Sequence, residues 1–190
     1  MFQKLSMNFE YETERLILRL PSMDFLRELL EFQIRNRECF EKYEPTRPDN
    51  FYTLQYQQSV LKCELRLALK QQTVRFYVFS KKYPQKIIGT VCLHNLMPAP
   101  YSCAEVGYKF DAAYQGRGFA TEALAMVLSV GFGSLQLHRI FARVMPENTP
   151  SIRLLERLHF ACEGMEQECL LIQGKWTNHL RYAMLCPSLP

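Results

Sequence analysis

The stretch from Glu105 to Leu124, EVGYKFDAAYQGRGFATEAL, carries the strongest structural signal in this chain. Its first six residues, up to Phe110, are rich in Val, Tyr and Phe and predict a short strand. Residues 115–120 (QGRGFA) contain two glycines and predict a tight loop. The Ala-, Leu- and Met-rich segment from Ala120 to Phe132 then predicts a helix. We therefore expect a strand, a glycine loop and a helix in direct succession.

The loop is suited to binding a pyrophosphate group. The first N–H groups of a helix have no partner inside the helix, and the helix dipole adds partial positive charge there. Gly116 and Gly118 lack the Cβ atoms that would hold a ligand away from the backbone. A row of exposed backbone N–H groups can therefore cradle phosphate oxygens. The residues predicted to do so are Gln115, Gly116, Arg117, Gly118, Phe119, Ala120 and Thr121.

Several interpretations of this loop compete. A Walker A loop requires Gly-Lys-Ser/Thr, which the loop lacks. A Rossmann fingerprint requires a small residue where Thr121 stands, and it opens the first βαβ unit, whereas this loop lies past the middle of the chain. The pattern Gln-x-x-Gly-x-Ala fits a coenzyme A loop. A glycine turn without a ligand also fits, so the loop alone leaves the choice open.

Length and composition restrict the class of protein. A chain of 190 residues fits one domain and buries roughly 70% of its unfolded surface. Its 48% apolar and 22% charged residues are ordinary for a water-soluble globular protein. The net charge of +4 fits an anionic cofactor. No face forms a run of Lys and Arg, so we expect no nucleic acid partner.

Three further patterns concern location and metal binding. The first residues, MFQKLSMNFE, lack the apolar run of a signal peptide, and no segment approaches the length of a membrane span, so we expect a cytoplasmic protein without a membrane partner. The seven cysteines contain no C-x-x-C pair, which predicts reduced thiols. We expect no metal, because the four histidines lack metal-ligand spacing: His94, His138, His159 and His179.

Alternation and helical periodicity predict the remaining elements. Strands are predicted at residues 13–20, 73–80, 86–96 and 137–145, and two more within 161–186, joined by a turn at 173–175. Helices are predicted from Ser22 to about Arg37, over 52–70, and after a Thr149 cap with Pro150 at the first position. Residues 39–50 and 81–85 predict loops. The order β-α-α-β-β-β-α-β-α-β-β indicates a mixed α/β (α+β) fold, with about seven strands flanked by about four helices.

Further motifs accompany the loop along the chain. They are ERLILR at residues 14–19, IIG at 87–89, EVGY at 105–108, HRI at 138–140, Asn148-x-x-Ser151, LERLHF at 155–160 ahead of EG at 163–164, and GKW at 174–176. Over about residues 12–186 this set resembles the GNAT N-acetyltransferases of the RimJ/RimL type. The resemblance implies a single GNAT domain across residues 1–190, with acetyl-CoA as co-substrate and a primary amine as acceptor.

The resemblance also implies where acetyl-CoA binds. Two adjacent parallel strands, at about 104–110 and 138–145, splay apart at a bulge, and pantetheine occupies the gap as a pseudo-strand. The pyrophosphate then lies on the amides of residues 115–120. The remaining cofactor contacts are expected from Tyr108, Lys109, Phe110, Asn148, Ser151 and Arg153.

Acetyl transfer requires a group that accepts a proton from the amine, and an acid can protonate the departing thiolate. The resemblance places Ser151 near the coenzyme sulfur as that acid, and Asn148 beside the cofactor or substrate. Glu105 is a candidate base, because a partly buried carboxylate can have a raised pKa.

The chain departs from the RimL-type pattern at two positions. Leu170 replaces the glutamate expected as base four residues before the GKW glycine. Glu168 lies two positions away and, by simple alternation, on the same face of the strand. Asn178 stands where relatives usually have Asp. A water relay in place of a dedicated base therefore stays open.

Three functions fit these residues. The first is acetyl transfer to a protein N-terminal α-amine, as in ribosomal-protein acetyltransferases. The second is transfer to a small-molecule amine such as an antibiotic or a polyamine, and the third is binding of acetyl-CoA without turnover. Asn148 and Ser151 favour an enzyme, whereas Leu170 favours the binding module. We expect an acceptor pocket walled by the first-helix region, Pro45 to Phe51 and the closing hairpin, and analogy points to a homodimer.

Overall fold

The computed structural model of the protein describes residues 7–187, and within this range an eight-stranded sheet forms the centre of the fold. The strands are β1 (Glu10–Glu12), β2 (Leu16–Arg19), β3 (Val74–Ser80), β4 (Tyr83–Met97), β5 (Cys103–Phe110), β6 (Arg139–Val144), β7 (Ala161–Ile172) and β8 (Lys175–Leu185). The helices are α1 (Leu26–Arg35), α2 (Arg37–Glu41), α3 (Leu54–Leu69), α4 (Phe119–Ser129) and α5 (Thr149–Arg157). The predicted mixed α/β fold is confirmed.

The sheet has one parallel pair, and that pair is incomplete. The strand order is β1-β2-β3-β4-β5-β6-β8-β7, and all neighbours are antiparallel except β5 and β6. The parallel ladder holds three pairs and ends where Glu105 faces Phe141. Because β5 continues to Phe110 and β6 to Val144, a gap opens between them. The register irregularity nearest this point lies on β4, between His94 and Met97.

Helices cover both faces of the sheet. Leu124 of α4 belongs to the larger apolar cluster, which also holds Ile140 of β6. On the opposite face, Phe32 of α1 and Leu61 of α3 pack in a second cluster with Tyr77 of β3. Burial of apolar area of this kind is the main favourable contribution to folding. The gap between β5 and β6 is therefore held open between two packed layers.

Two short elements were not predicted from the sequence. β1 has three residues and pairs with β2, with Tyr11 opposite Leu18. A strand this short is held by backbone pairing and shows too little alternation for a prediction. The second element is α2, which begins at Arg37 and extends into the predicted loop at 39–50, where Phe40 is buried.

The predicted turn at residues 81–85 is too long, because β4 begins at Tyr83 and includes Pro84. Proline has no N–H group for a sheet ladder. The pairing of β4 with β5 begins only at Gly89, so Pro84 lies outside that ladder. A Cβ atom at Gly89 would meet the Phe110 ring at 2.4 Å, so this position of β4 requires glycine.

Several predicted element ends shift by one residue. α4 begins at Phe119, directly after Gly118, which has a φ of +80°. The cap of α5 is Asn148 and not Thr149, because the Asn148 side chain accepts a hydrogen bond from the Ser151 N–H; Pro150 is then the second helical residue. None of the helices within residues 7–187 is long and apolar enough to cross a membrane.

Candidate active site

A cavity of about 920 Å³ lies at the gap between β5 and β6, a volume in the range of small-molecule sites. Its walls come from β5, the loop before α4, α5, residues 39–45 and the β7–β8 hairpin. The predicted site residues that line it are Glu105, Tyr108, Lys109, Phe110, Gln115, Gly116, Gly118, Phe119, Ala120, Thr121, Asn148, Ser151 and Arg153. Arg117 is outside this lining, and its guanidinium lies 5.9 Å from the Tyr114 ring.

The glycine loop has the geometry of an anion cradle. Gly116 and Gly118 have φ angles of +72° and +80°, which glycine adopts more readily than other residues. Phe119 and Ala120 are the first two residues of α4, so their backbone N–H groups have no partner inside the helix. A Cβ atom at Gly116 would contact nothing within 4 Å, so the loop faces open space. The loop residues therefore fit a pyrophosphate group.

The N-terminal motif ERLILR braces this cradle. Arg15 donates from Nε to Glu122 of α4 at 2.6 Å and from its guanidinium to the Arg117 carbonyl at 3.0 Å. The Thr13 hydroxyl and the Arg15 N–H both donate to the other oxygen of Glu122. These contacts tie β2 to the first turn of α4 across more than a hundred residues. The sequence does not predict this bracing role, because the contacts join residues that are far apart in the chain.

The hydroxyl groups of Tyr108 and Ser151 are 2.6 Å apart. Burial raises the pKa of Tyr108 to about 12, although the hydrogen bond with Ser151 acts in the opposite direction. The phenol therefore stays protonated at neutral pH. Asn148 holds Ser151 in the first turn of α5, because its side chain accepts the Ser151 N–H at 3.3 Å. The pair can deliver a proton into the cavity.

Glu105 is 7% exposed and is held by charged and polar neighbours. Its Oε2 atom accepts hydrogen bonds from Arg143 at 2.6 Å and from Asn95 at 3.2 Å. Arg143 also donates to Glu166 at 2.5 Å, and Arg181 donates to the other oxygen of Glu166 at 2.8 Å. The candidate base therefore lies at the end of an ion-pair network that crosses β5, β6, β8 and β7.

Lys109 points away from the cradle, toward α1. Its ammonium group donates to Glu44 at 2.9 Å and to Gln33 at 3.1 Å, and lies 4.4 Å from the Phe40 ring centroid. Burial lowers the pKa of Lys109 to about 8, and the pairing with Glu44 offsets only part of this effect. Only the backbone of Lys109 is thus available for the predicted cofactor contact.

The β7–β8 hairpin differs from the prediction at Glu168. A register irregularity lies between Glu166 and Leu170, and Glu168 has a φ of +45° there. Simple alternation therefore fails: Leu170 lines the cavity, whereas Glu168 is exposed and outside the lining. Asn178 has a structural contact in this irregularity, because its Oδ1 accepts the Glu168 N–H at 2.8 Å.

Two segments cover the end of the cavity where the sequence predicts the acceptor pocket. Of the predicted range from Pro45 to Phe51, only Pro45 lines the cavity, together with residues before it from Cys39 onward, whereas Phe51 is buried in the core. From the hairpin turn, Gln173 donates to the carbonyl groups of Glu41 at 2.9 Å and Glu44 at 3.0 Å. Loop and hairpin are therefore joined over the cavity mouth.

The lining also includes charged or titratable residues that the sequence did not assign to the site, among them Arg75, His94 and His179. Arg75 is bound by Glu64 of α3 at 2.6 Å, and His179 is buried beside Cys169, with its Nδ1 3.6 Å from the thiol. His94 pairs with Glu105 in the β4–β5 register. That register, which the sequence does not display, is the signal that would have found His94.

The family is established by comparison with known proteins. Residues 15–161 match the family model described as Acetyltransferase (GNAT) domain, and the chain belongs to this family. It is 36% identical to the Probable N-acetyltransferase YjcK of Bacillus subtilis (strain 168) over 162 residues, which are 85% of this chain and 88% of that protein.

Two solved structures are similar over nearly the whole chain. The ribosomal-protein-S5-alanine acetyltransferase from Vibrio fischeri superposes with a TM-score of 0.90 at 29% identity, covering 96% of this chain and all of that one. RimJ of Mycobacterium smegmatis, solved in complex with CoA-disulfide, gives a TM-score of 0.84 at 28% identity, covering 92% of this chain and 84% of that one. The predicted resemblance to the RimJ/RimL type is confirmed.

This protein is therefore an N-acetyltransferase, and acetyl-CoA is its co-substrate. The cradle at residues 115–120 and the gap between β5 and β6 fit that molecule, as the geometry of each indicates. Within residues 7–187 no group of three or more His, Cys, Asp or Glu side chains is arranged to hold a metal ion.

Proposed function

We propose that this protein acetylates the N-terminal α-amine of a protein, of the ribosomal-protein type. The observation that carries the proposal is the match over 96% of the chain to an acetyltransferase named for alanine of ribosomal protein S5. The acceptor alternatives are small amines such as polyamines and antibiotics. The charges at the acceptor end of the cavity favour a singly charged amine over a polycation.

Each acidic side chain at this end is matched by a cation. Glu105 is paired with Arg143 at 2.6 Å, and Glu44 with both Lys109 at 2.9 Å and Arg47 at 2.5 Å. Binding of a polyamine relies on carboxylates that are free to pair with several ammonium groups. Carboxylates that already have protein partners give little affinity for such a ligand. An N-terminal α-amine presents one charge and loses it before reaction.

Acetyl-CoA supplies the acetyl group as a thioester, which the acceptor amine attacks. The amides of residues 116–120 hold the pyrophosphate, and the free edge of β5 beyond Glu105 aligns the pantetheine arm. The Ser151–Tyr108 hydroxyl pair gives a proton to the departing sulfur, with Asn148 fixing Ser151 in place. Glu105 remains a predicted part of the catalytic machinery, and Arg153 a predicted phosphate contact.

The test compares acceptors under identical conditions. A peptide with a free N-terminal alanine, the same peptide with a blocked N-terminus and an internal lysine, spermidine and an aminoglycoside are incubated with acetyl-CoA. Acetylated products are measured by mass spectrometry, because the seven cysteines of the protein interfere with thiol reagents. We expect kcat/KM to be at least tenfold higher for the free N-terminal peptide. A higher value for spermidine or the aminoglycoside contradicts the proposal.

Two properties of the predicted enzyme accompany this function. A ribosomal-protein acceptor implies that the protein works in the cytoplasm, where ribosomal proteins are made.

A homodimer stays a prediction by analogy. Light scattering coupled to size-exclusion chromatography measures the mass of the particle in solution, and a mass near twice 22.4 kDa is expected.

A further inference from the structure

The gap between β5 and β6 connects the two faces of the sheet, and the chemistry of the two faces differs. Successive residues of a strand point to opposite faces. Tyr108 therefore points to the face where Ser151 of α5 lies. Glu105 and Gly107 point to the other face, and this is the face roofed by residues 39–45 and the hairpin. A proton donor lies on the first face, and the acceptor amine enters from the second.

His94 stands on the second face, beside the gap. It is opposite Glu105 in the β4–β5 register, and its Nδ1 atom is 4.0 Å from Glu105 Oε2. Its other ring nitrogen faces Gly107: a Cβ atom on that glycine would lie 3.5 Å from His94 Nε2. The position next to the free edge of β5 thus has no side chain. The Nε2 atom borders the space where the reacting groups meet.

The charged groups around His94 come from three neighbouring strands. Burial lowers the pKa of His94, Glu105 of β5 raises it, and Arg75 of β3 and Arg143 of β6 lower it further. The lowering prevails over the proximity of Glu105, because Glu105 is already paired with Arg143 at 2.6 Å. His94 is therefore a neutral imidazole at neutral pH. In that state one ring nitrogen is free to accept a proton.

We infer that His94 is the general base of this acetyltransferase and that Glu105 positions it. The amine nitrogen forms a bond with the acetyl carbon while the bond from that carbon to sulfur breaks. His94 Nε2 takes the proton that the amine loses, and the Ser151–Tyr108 pair gives a proton to sulfur. Glu105 Oε2 orients the Nδ1–H group, through a bridging water at the present 4.0 Å or directly after a small closure. With His94 as the base, the glutamate that Leu170 replaces on the hairpin is not required.

The experiment compares His94→Gln and His94→Ala with the control His138→Gln, since His138 is exposed and outside the cavity lining. The assay uses whichever amine the wild-type protein acetylates best. The inference rests on acetyl transfer and not on the proposed N-terminal acceptor, so failure of alanine peptides overturns that acceptor alone. We expect kcat/KM for the amine to fall by about 10²- to 10⁴-fold in both His94 variants. The Kd for acetyl-CoA should stay within twofold, and added imidazole should partly restore His94→Ala.

The pH profile separates a base from a structural residue. Both His94 and the amine must be neutral, so below the His94 pKa log kcat/KM of the wild type falls by two per pH unit. In His94→Gln it falls by one. A His94→Gln protein with wild-type kcat/KM, or with a uniformly lower profile of unchanged slope, overturns the inference. Proton NMR of the wild-type imidazoles gives a reading independent of activity, with the His94 signal assigned by its loss in His94→Gln. A His94 that is protonated at pH 7 also overturns the inference.

Discussion

Tyr108 and Ser151 meet across 43 positions of the chain and share a hydrogen bond of 2.6 Å. Either oxygen can be the donor in such a pair, because a hydroxyl both donates and accepts. Burial, which raises the pKa of Tyr108 to about 12, keeps the phenol protonated at neutral pH. The hydroxyl pair can donate a hydrogen bond to the sulfur as negative charge develops on it. Ser151 is the predicted acid, and Tyr108 is its hydrogen-bond partner.

The first prediction concerns this pair. Ser151→Ala should lower kcat by at least about tenfold and change acetyl-CoA affinity little, because protonation of the leaving group is lost while the cradle is untouched. Tyr108→Phe should lower kcat in the same way. Ser129→Ala is the control, since Ser129 is exposed at the end of α4. Measuring kcat, acetyl-CoA Kd and melting temperature together distinguishes the roles. Wild-type kcat in a folded Ser151→Ala protein removes Ser151 from the mechanism.

The second prediction concerns Lys109. Its pKa is lowered from 10.5 to about 8 in the folded protein, so the unfolded chain binds more protons between these pH values. The free energy of unfolding should therefore rise with pH across this window, by up to about 1.4 kcal/mol per pH unit. Lys109→Met should lack this rise, whereas the exposed Lys62→Met should keep it. Urea unfolding at pH 8, 9 and 10 measures the difference. Parallel curves for wild type and Lys109→Met contradict the prediction.

Among the elements, the loop before α4 depends most on backbone conformation. Gly118 ends the loop with a φ of +80°, and its Cβ position is 3.3 Å from the Arg15 guanidinium. Arg15 and Glu122 hold the first turn of α4 against β2. Contacts from Arg15 therefore hold the loop in place, so that ligand binding does not have to order the loop.

The third prediction concerns this loop. Gly118→Val should abolish acetyl-CoA binding, because a β-branched residue is strained at this φ and its side chain occupies the anion space. The fold should survive with a cost of about 1–3 kcal/mol from local strain. Gly133→Ala is the control, since a Cβ atom there meets nothing within 4 Å and its φ is not positive. Calorimetry with acetyl-CoA reads the result. Undiminished heat from Gly118→Val shows that the loop is an ordinary turn.

Elements were predictable from the sequence where their signal is local. In the strand–loop–helix unit around Gly116, the end of β5 at Phe110 was predicted correctly and the start of α4 within one residue, because turn glycines and helix formers act over a few positions. The outer ends were less accurate, since β5 begins two residues earlier than predicted and α4 ends three residues earlier. Glu168 was assigned to the wrong face, since a two-residue irregularity in the hairpin interrupts the alternation. His94 was missed because its role follows from strand register. Long-range contacts of this kind are decided by packing, which a single sequence does not display.

At the scale of the whole molecule, binding of the co-substrate should increase the stability of the fold. β5 and β6 share only three ladder pairs, and the cavity of about 920 Å³ continues from their gap. A ligand that binds only the folded state adds its binding free energy to the free energy of unfolding. The protein should therefore be measurably more stable when the gap is filled.

The fourth prediction follows from this linkage. At 100 times its Kd, acetyl-CoA should add about 2.7 kcal/mol to the free energy of unfolding. For a chain of this size that raises the melting temperature by about 5–10 °C. The shift should be equal with magnesium and with a chelator, because the cradle presents amides to the pyrophosphate. No shift at millimolar acetyl-CoA, or a shift that disappears with the chelator, contradicts the prediction.

The short parallel ladder also allows hydrogen–deuterium exchange to report whether the gap between β5 and β6 is occupied. Amides on the β6 side of β5 beyond Glu105 have no strand partner there, so they exchange with deuterated solvent when the gap is empty. A pantetheine chain lying along that edge covers them and slows the exchange. Deuterium uptake over residues 106–110 therefore records occupancy of the gap, without any turnover and before the acceptor is known.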